Sequence, residues 1–179
     1  MGLDITAYES LTKIDEVKYI DGEVYNQKLE TVDYDDYDFV AHINPDFPGR
    51  ADDVEDHGVY KAVGSHGFRA GSYGGYNMWR DRLAKLAGYP EGTYEQYGKD
   101  WPSHCVACWN GAQGPFAELI HFSDCEGVIG TAISKKLAAD FAAFDEAAKT
   151  QEDEPFYKLY QDWQKAFTMA ANGGAVSFH

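Results

Sequence analysis

A chain of 179 residues is long enough to bury a real core and fits one domain, residues 1–179. Its 44% hydrophobic and 15% aromatic content is not that of a disordered chain, and a net charge of −15 argues against nucleic acid and anionic lipid as partners. The charge is uneven: residues 1–60 hold 16 acidic against 4 basic side chains, a net −12. No run of 18 apolar residues is present, and no basic region followed by an apolar run opens the chain, so neither a membrane span nor a secretory leader is expected. Three cysteines, an odd number, fit a reducing compartment, and the expectation is cytoplasmic. "MGLDIT" matches a myristoylation pattern through Gly2 and Thr6, but without a nearby basic patch to add a second anchor it reads as chance.

In chain order, residues 3–14 alternate as a strand, and the acidic, tyrosine-rich residues 15–38 form a hairpin or exposed loop. Residues 38–43 are a second strand, stopped by the turn chemistry of "NPDFPG". Residues 58–70 carry a third, whose glycines predict a bulge or a close approach. A helix follows, with Tyr76, Trp79, Leu83, Leu86 and Ala87 at helical spacing and Gly88 and Pro90 as its stop. Residues 89–115 are a long connection. "FAELIHF" (116–122) reads as a central strand. Residues 131–149 are the best helix, with Ile133, Leu137, Phe141, Phe144 and Ala148 on one face. A last helix begins at "EDEP" and buries Phe156, Leu159, Trp163, Phe167 and Ala170, before a short β-like end. The expected architecture is a single α+β domain: a mixed, mostly antiparallel sheet of about five strands packed with about three helices.

"HGFRAGSYGGYNMW" (66–79) runs from strand through a glycine turn into a helix. Backbone N–H groups at such a junction face whatever lies above the helix N-terminus. Gly71, Gly74 and Gly75 would admit an anion, Arg69 offers a bidentate fork, and Ser72 adds a hydroxyl. The spacing matches neither a P-loop nor a dinucleotide fingerprint, and no cofactor is expected. A plainer alternative is a turn whose arginine pairs with a carboxylate. "AGSYG" also resembles a nucleophile elbow at Ser72, with Asp124 and His179 in the right chain order, although the parallel βαβ rhythm of that fold is absent.

A second polar junction is "HFSDCEGVIG" (121–130), where Ser123, Asp124 and Glu126 can accept hydroxyl or amino hydrogen bonds, or simply cap the turn. "HCVAC" (104–108) with His121 and Cys125 is a partial zinc pattern through His104, Cys105, Cys108 and Cys125, but only one C-x-x-C pair exists, so buried thiols are expected and no metal is assigned. "VDYDDYDF" spaces carboxylates as a partner with a basic surface would read them, or as a solvated face.

Several blocks, "MGLDITAY", "FPGRA" (47–51), "FRAGSYGGYNMWR" (68–80), "ELIHFSDCEGVIG" (118–130) and "GGAVSFH", make the chain resemble small uncharacterised proteins encoded by bacteriophages and prophages. That resemblance implies expression in the cytoplasm of a bacterial host during infection or lysogeny, and brings with it no reaction and no functional residues. Three functions are open on the sequence. The first is a phage-type accessory protein that sequesters or senses a small anionic, nucleotide-like ligand without catalysis. Its pocket would be made by Arg69, Gly71, Ser72, Tyr73, Gly74, Gly75 and Tyr76 together with Ser123, Asp124 and Glu126, with Trp79 as a further ring to cover the ligand. The second is an acidic interaction protein that binds a basic host-protein surface through residues 30–56. The third is a small hydrolase or transferase using His66, Ser72, Asp124 or Glu126.

Overall fold

The computed structural model describes residues 2–151 and 153–179 and shows an α+β protein in which every strand pairing is antiparallel. The first half contains β1 (Leu3–Glu9), β2 (Thr12–Lys13), β3 (Val17–Ile20), β4 (Glu23–Asn26), a 3-10 turn (Tyr34–Asp36), β5 (Phe39–Val40), β6 (Val59–Lys61), β7 (Gly64–Gly71) and α1 (Tyr73–Leu86). Then come β8 (Gly92–Gln96), β9 (Lys99–Ser103), α2 (Val106–Trp109), α3 (Ala117–Ile120), β10 (Gly127–Ile129), α4 (Thr131–Lys149), α5 (Glu154–Ala170) and β11 (Ala175–Phe178).

The main sheet has the order β10-β11-β1-β7. Side chains alternate across a strand, so Leu3, Ile5 and Ala7 of β1 are buried on one face while Asp4 and Thr6 turn to the other. The Leu3 face meets α1, α4 and α5 in the larger core. On the opposite face Tyr8, Val128 and Ala175 pack against Phe39, Ala41, Ala51 and Tyr60, a second and smaller core. All four residues of β11 are buried because it lies between both cores, which explains its unbroken run of small and apolar side chains.

The three long helices stand where helical spacing places them. Trp163 of α5 joins α1 to the sheet: its ring is 5.1 Å from Phe68, 5.6 Å from Tyr76, 5.6 Å from Phe167 and 5.5 Å from Phe178, centre to centre. Ser72 and Asp153 cap α1 and α5 by accepting from the N–H groups of Gly75 and Phe156. Gly130 opens α4 with no side chain to offer, and Asp53 reaches in to accept from the Thr131 N–H at 2.5 Å.

Two expectations are corrected. Residues 116–122 are not a central strand: the chain passes through Phe116 in a left-handed conformation (φ 59°) into the short helix α3. Ala117, Glu118 and Leu119 are good helix formers, and adjacent Leu119 and Ile120 are both buried in the same core, which strand alternation forbids. The strand on the outer side of β11 is β10, which begins at Gly127 and is followed by Gly130. Residues 89–115 hold the β8–β9 hairpin and α2 instead of a bare connection. That hairpin turns at Tyr97 and Gly98, both with positive φ (55° and 70°), a geometry usually announced by Asn-Gly or Asp-Gly. The β3–β4 hairpin turns at Asp21-Gly22 (φ 48° and 95°), the turn signal present within residues 15–38.

Candidate functional site

Gly71 ends β7 with φ 111°, and the register of β1 against β7 shifts between Leu3 and Asp4, the irregularity that the glycines predict. Arg69 is opposite Asp4 in the sheet, its Nη1 3.4 Å from both carboxylate oxygens. The pair is more than half exposed, so it orients the side chain and adds little stability. Its guanidinium also lies over Gly2, where a Cβ would overlap it. Ser72 has ordinary extended backbone angles and spends its oxygen on the helix cap. Neither His66 nor His179 is hydrogen-bonded to it among the described residues.

At the second junction, Ser123 Oγ accepts from the N–H groups of Cys125 (3.2 Å) and Glu126 (3.1 Å), closing the turn. Asp124 accepts from Asn77 Nδ2 at 2.8 Å and stands 3.9 Å from Arg80 Nη2. The Glu126 carbonyl accepts from Asn44. Asp124 is thus tied to α1, on the helix side of the sheet, whereas the Asp4–Arg69 pair stands on the face away from the Leu3 core. β7 and β10 are the two edges of the main sheet, three inter-strand steps or about 14 Å apart. Arg69 and Asp124 therefore engage separate partners on separate faces. Tyr76 and Trp79, offered as ring-covering residues, are core side chains at 0% and 5% exposure and cannot cover a ligand from solvent. Tyr73 is packed against the same core, while the space over Gly74 is open.

The cation that organises this region is Arg80, which the sequence reading passed over. It is 6% exposed, lies 4.6 Å over the Tyr76 ring, and donates to the carbonyls of Phe122 (2.5 Å) and Ile120 (3.4 Å) and to Asn77 Oδ1. One planar guanidinium so fastens the α3–β10 loop onto α1 and balances Asp124. Its signal in the sequence is a cation inside the apolar stripe Tyr76–Trp79–Leu83, where a solvated arginine has no place. Burial pushes the Tyr76 hydroxyl far above its usual pKa, and the hydroxyl has no hydrogen-bond partner among the described residues.

Cys105 and Cys108 are buried at 2% and 1% exposure, and burial pushes the Cys105 thiol up to about 11 and raises Cys108 as well. A thiol held protonated is a poor nucleophile and a poor metal ligand. His104 Nδ1 is bonded to the Tyr89 carbonyl at 2.7 Å, and the His104 backbone N–H and the Ser103 hydroxyl both donate to Asp81 at 2.6 Å. Cys125 is exposed and lies 3.4 Å from Ser123 Oγ. Among the described residues no three His, Cys, Asp or Glu side chains are grouped to hold a metal ion.

His66 packs on Phe68 with a buried Nε2 that has no partner among the described residues, and burial, then Lys165, lowers its pKa. His121 and His179 are lowered too, chiefly by burial. Below the unfolded value of 6.5 the unfolded chain binds more protons than the folded one at these three sites. Their contribution to stability is complete above that pH and is lost as the pH falls. Thermal melts between about pH 7.5 and 5.5 should show Tm decreasing with acidification, with a flatter slope in His121→Gln.

The acidic stretch forms a cavity of about 350 Å³ between the β3–β4 hairpin and the 3-10 turn, lined by Glu23, Val24, Val32, Asp33, Tyr34 and Tyr37. Asp38 does not belong to its open charge: it accepts from the Ala62 N–H at 2.9 Å and faces Lys61 at 3.8 Å, and Lys61 also donates to the Asp35 carbonyl. Asp33, Asp35 and Asp36 have no salt-bridge partner among the described residues. A larger open cleft, about 630 Å³, lies between Glu9 and the α5 residues Gln161, Gln164, Lys165, Thr168 and Met169.

No protein-family model, curated protein or solved structure shows significant similarity to the chain. What fold and surface define is a class: an antiparallel sheet between two apolar cores, with an acidic, tyrosine-lined cavity on the face built by residues 17–40. No described helix is long and apolar enough to cross a membrane.

Proposed function

We propose that the protein is a small acidic interaction protein that binds a basic protein surface, without catalysis, through the face carrying Glu23 and Asp33–Tyr37. The phage or prophage accessory role and the bacterial cytoplasm implied by its sequence blocks fit that purpose. The observation that carries it is the cavity in which Tyr34 and Tyr37 stand beside Glu23 and Asp33. Tyr34 is 76% exposed and stands beside Tyr37, so its ring is open to a partner. With −12 concentrated in residues 1–60, a basic partner is drawn in at long range and unwanted anionic partners are turned away.

A small anionic ligand at the β7–α1 turn is the second reading, favoured by the open space over Gly74 in the first turn of α1. To serve it, Arg69 would have to leave Asp4.

The test is binding of a basic peptide, acetylated octalysine, by calorimetry at two salt concentrations. Wild type should bind, with affinity falling steeply as salt rises. Asp33→Asn/Asp35→Asn/Asp36→Asn should weaken binding at least about tenfold at low salt, while Arg69→Ala leaves it unchanged. Nucleotide binding abolished by Arg69→Ala, with no affinity for the peptide, would replace this function with the second.

A further inference from the structure

The lining of the acidic cavity is more selective than a negative surface needs to be. Asp33 occupies the N-cap position of the 3-10 turn, yet its carboxylate makes no cap bond. At the matching positions of α1 and α5, Ser72 and Asp153 both do. The charge of Asp33 is therefore unspent. Glu23 is oriented by the Tyr25 hydroxyl, which donates to it at 2.9 Å. The rings of Tyr34 and Tyr37 are 5.8 Å apart and inclined at 40°, so they open as a wedge instead of stacking flat. Val24, 2% exposed, and Val32 give the cavity an aliphatic wall.

Carboxylates, ring faces and an apolar wall in one cavity match a long side chain with an aliphatic stem and a cationic head. Building on the function proposed above, we infer that this cavity is a socket for one lysine or arginine side chain of the protein partner. The head sits against the two rings, between Glu23 and Asp33, and the stem lies along Val24 and Val32. The occupant's charge is complementary to a face whose carboxylates at 33, 35 and 36 have no cation of their own among the described residues.

Tyr34→Ala leaves the net charge untouched and removes an exposed ring, so folding is not at risk. Binding of acetylated octalysine and octaarginine should weaken about 2- to 5-fold in Tyr34→Ala, by loss of the ring face, and stay near wild type in Tyr34→Phe. The change should persist at high salt, where the effect of the triple Asp→Asn variant shrinks. If Tyr34→Ala binds as wild type while the triple variant does not, the acidic face stands and the socket falls. If neither peptide binds wild type, both fall. If free spermidine displaces the peptides at the same concentration as octalysine, the cavity takes a small polyamine and the docking of a protein side chain is overturned.

Discussion

Arg80→Met should lower stability by about 3 kcal/mol, seen as an earlier urea midpoint at unchanged slope and a Tm lower by about 6–12 °C for a chain of this size. Methionine keeps the aliphatic stem and lacks the guanidinium, so the loss is mainly of polar partners, with a smaller share from the space left behind. Removing the guanidinium strands the carbonyls of Ile120 and Phe122 and the Asn77 amide oxygen without their donor, and leaves Asp124 without its cation. Arg80 is only 6% exposed, so water does not replace these bonds. Arg80→Lys should recover only part of the loss, because one ammonium cannot reach two carbonyls and an amide in the plane that a guanidinium fills. Were Arg80→Met as stable as wild type, the loop before β10 would have to be held by Ser123 and Asn44 alone.

Gly174→Ala should cost about 3 kcal/mol or more, measured the same way. A Cβ there would overlap the Tyr8 carbonyl oxygen, come within 2.8 Å of its carbon and lie 3.1 Å from the Ala170 Cα. Every obstacle is backbone, in the central strand or at the end of α5, and none can rotate away. Gly130→Ala is the instructive contrast. Its main obstacle is the Asp53 side chain, which can swing aside at the loss of the α4 cap, a cost of about 1 kcal/mol. Equal effects in the two variants would mean that the Tyr8 strand yields as easily as an aspartate rotates.

The long helices were legible because their apolar stripes, caps and stops lie within the elements themselves. Ser72 and Asp153 cap, Gly88 (φ 86°) ends α1, and Phe141 and Trp163 fall on the buried faces. The alternation expected over residues 3–14 holds only to Glu9, where Ser10 (φ 52°) breaks the strand and Thr12–Lys13 join another sheet; the bulge near Gly71 was equally local. Residues 116–122 were misread because an apolar run of that length fits either a strand or a buried helical turn. The β8–β9 hairpin escaped because Tyr97-Gly98 is not a usual turn pair.

At the candidate sites the limit was one of distance along the chain. Arg69 finds its partner 65 residues away at Asp4, and Asp124 finds Asn77, 47 residues back. No spacing rule reports such pairings. The acidic run itself was plain in the sequence. Its division into Asp38, which holds β6, and Asp33, Asp35 and Asp36, without a salt bridge among the described residues, was not, because it depends on where Lys61 comes to lie.

The pairing at the middle of the main sheet bears on how the protein comes into being. Ile5 is aligned with Phe178 and Tyr8 with Ala175, so the inner seam joins segments some 170 positions apart in the chain. Until the Ala175–Phe178 segment has emerged, β1 can pair only with β7, and its other edge waits for β11. The helices can form as they emerge, but the sheet closes after the Ala175–Phe178 segment has cleared the exit tunnel. Such a long-range closing step makes for slow folding and an interval in which an unpaired strand is open to chaperones or to neighbouring chains.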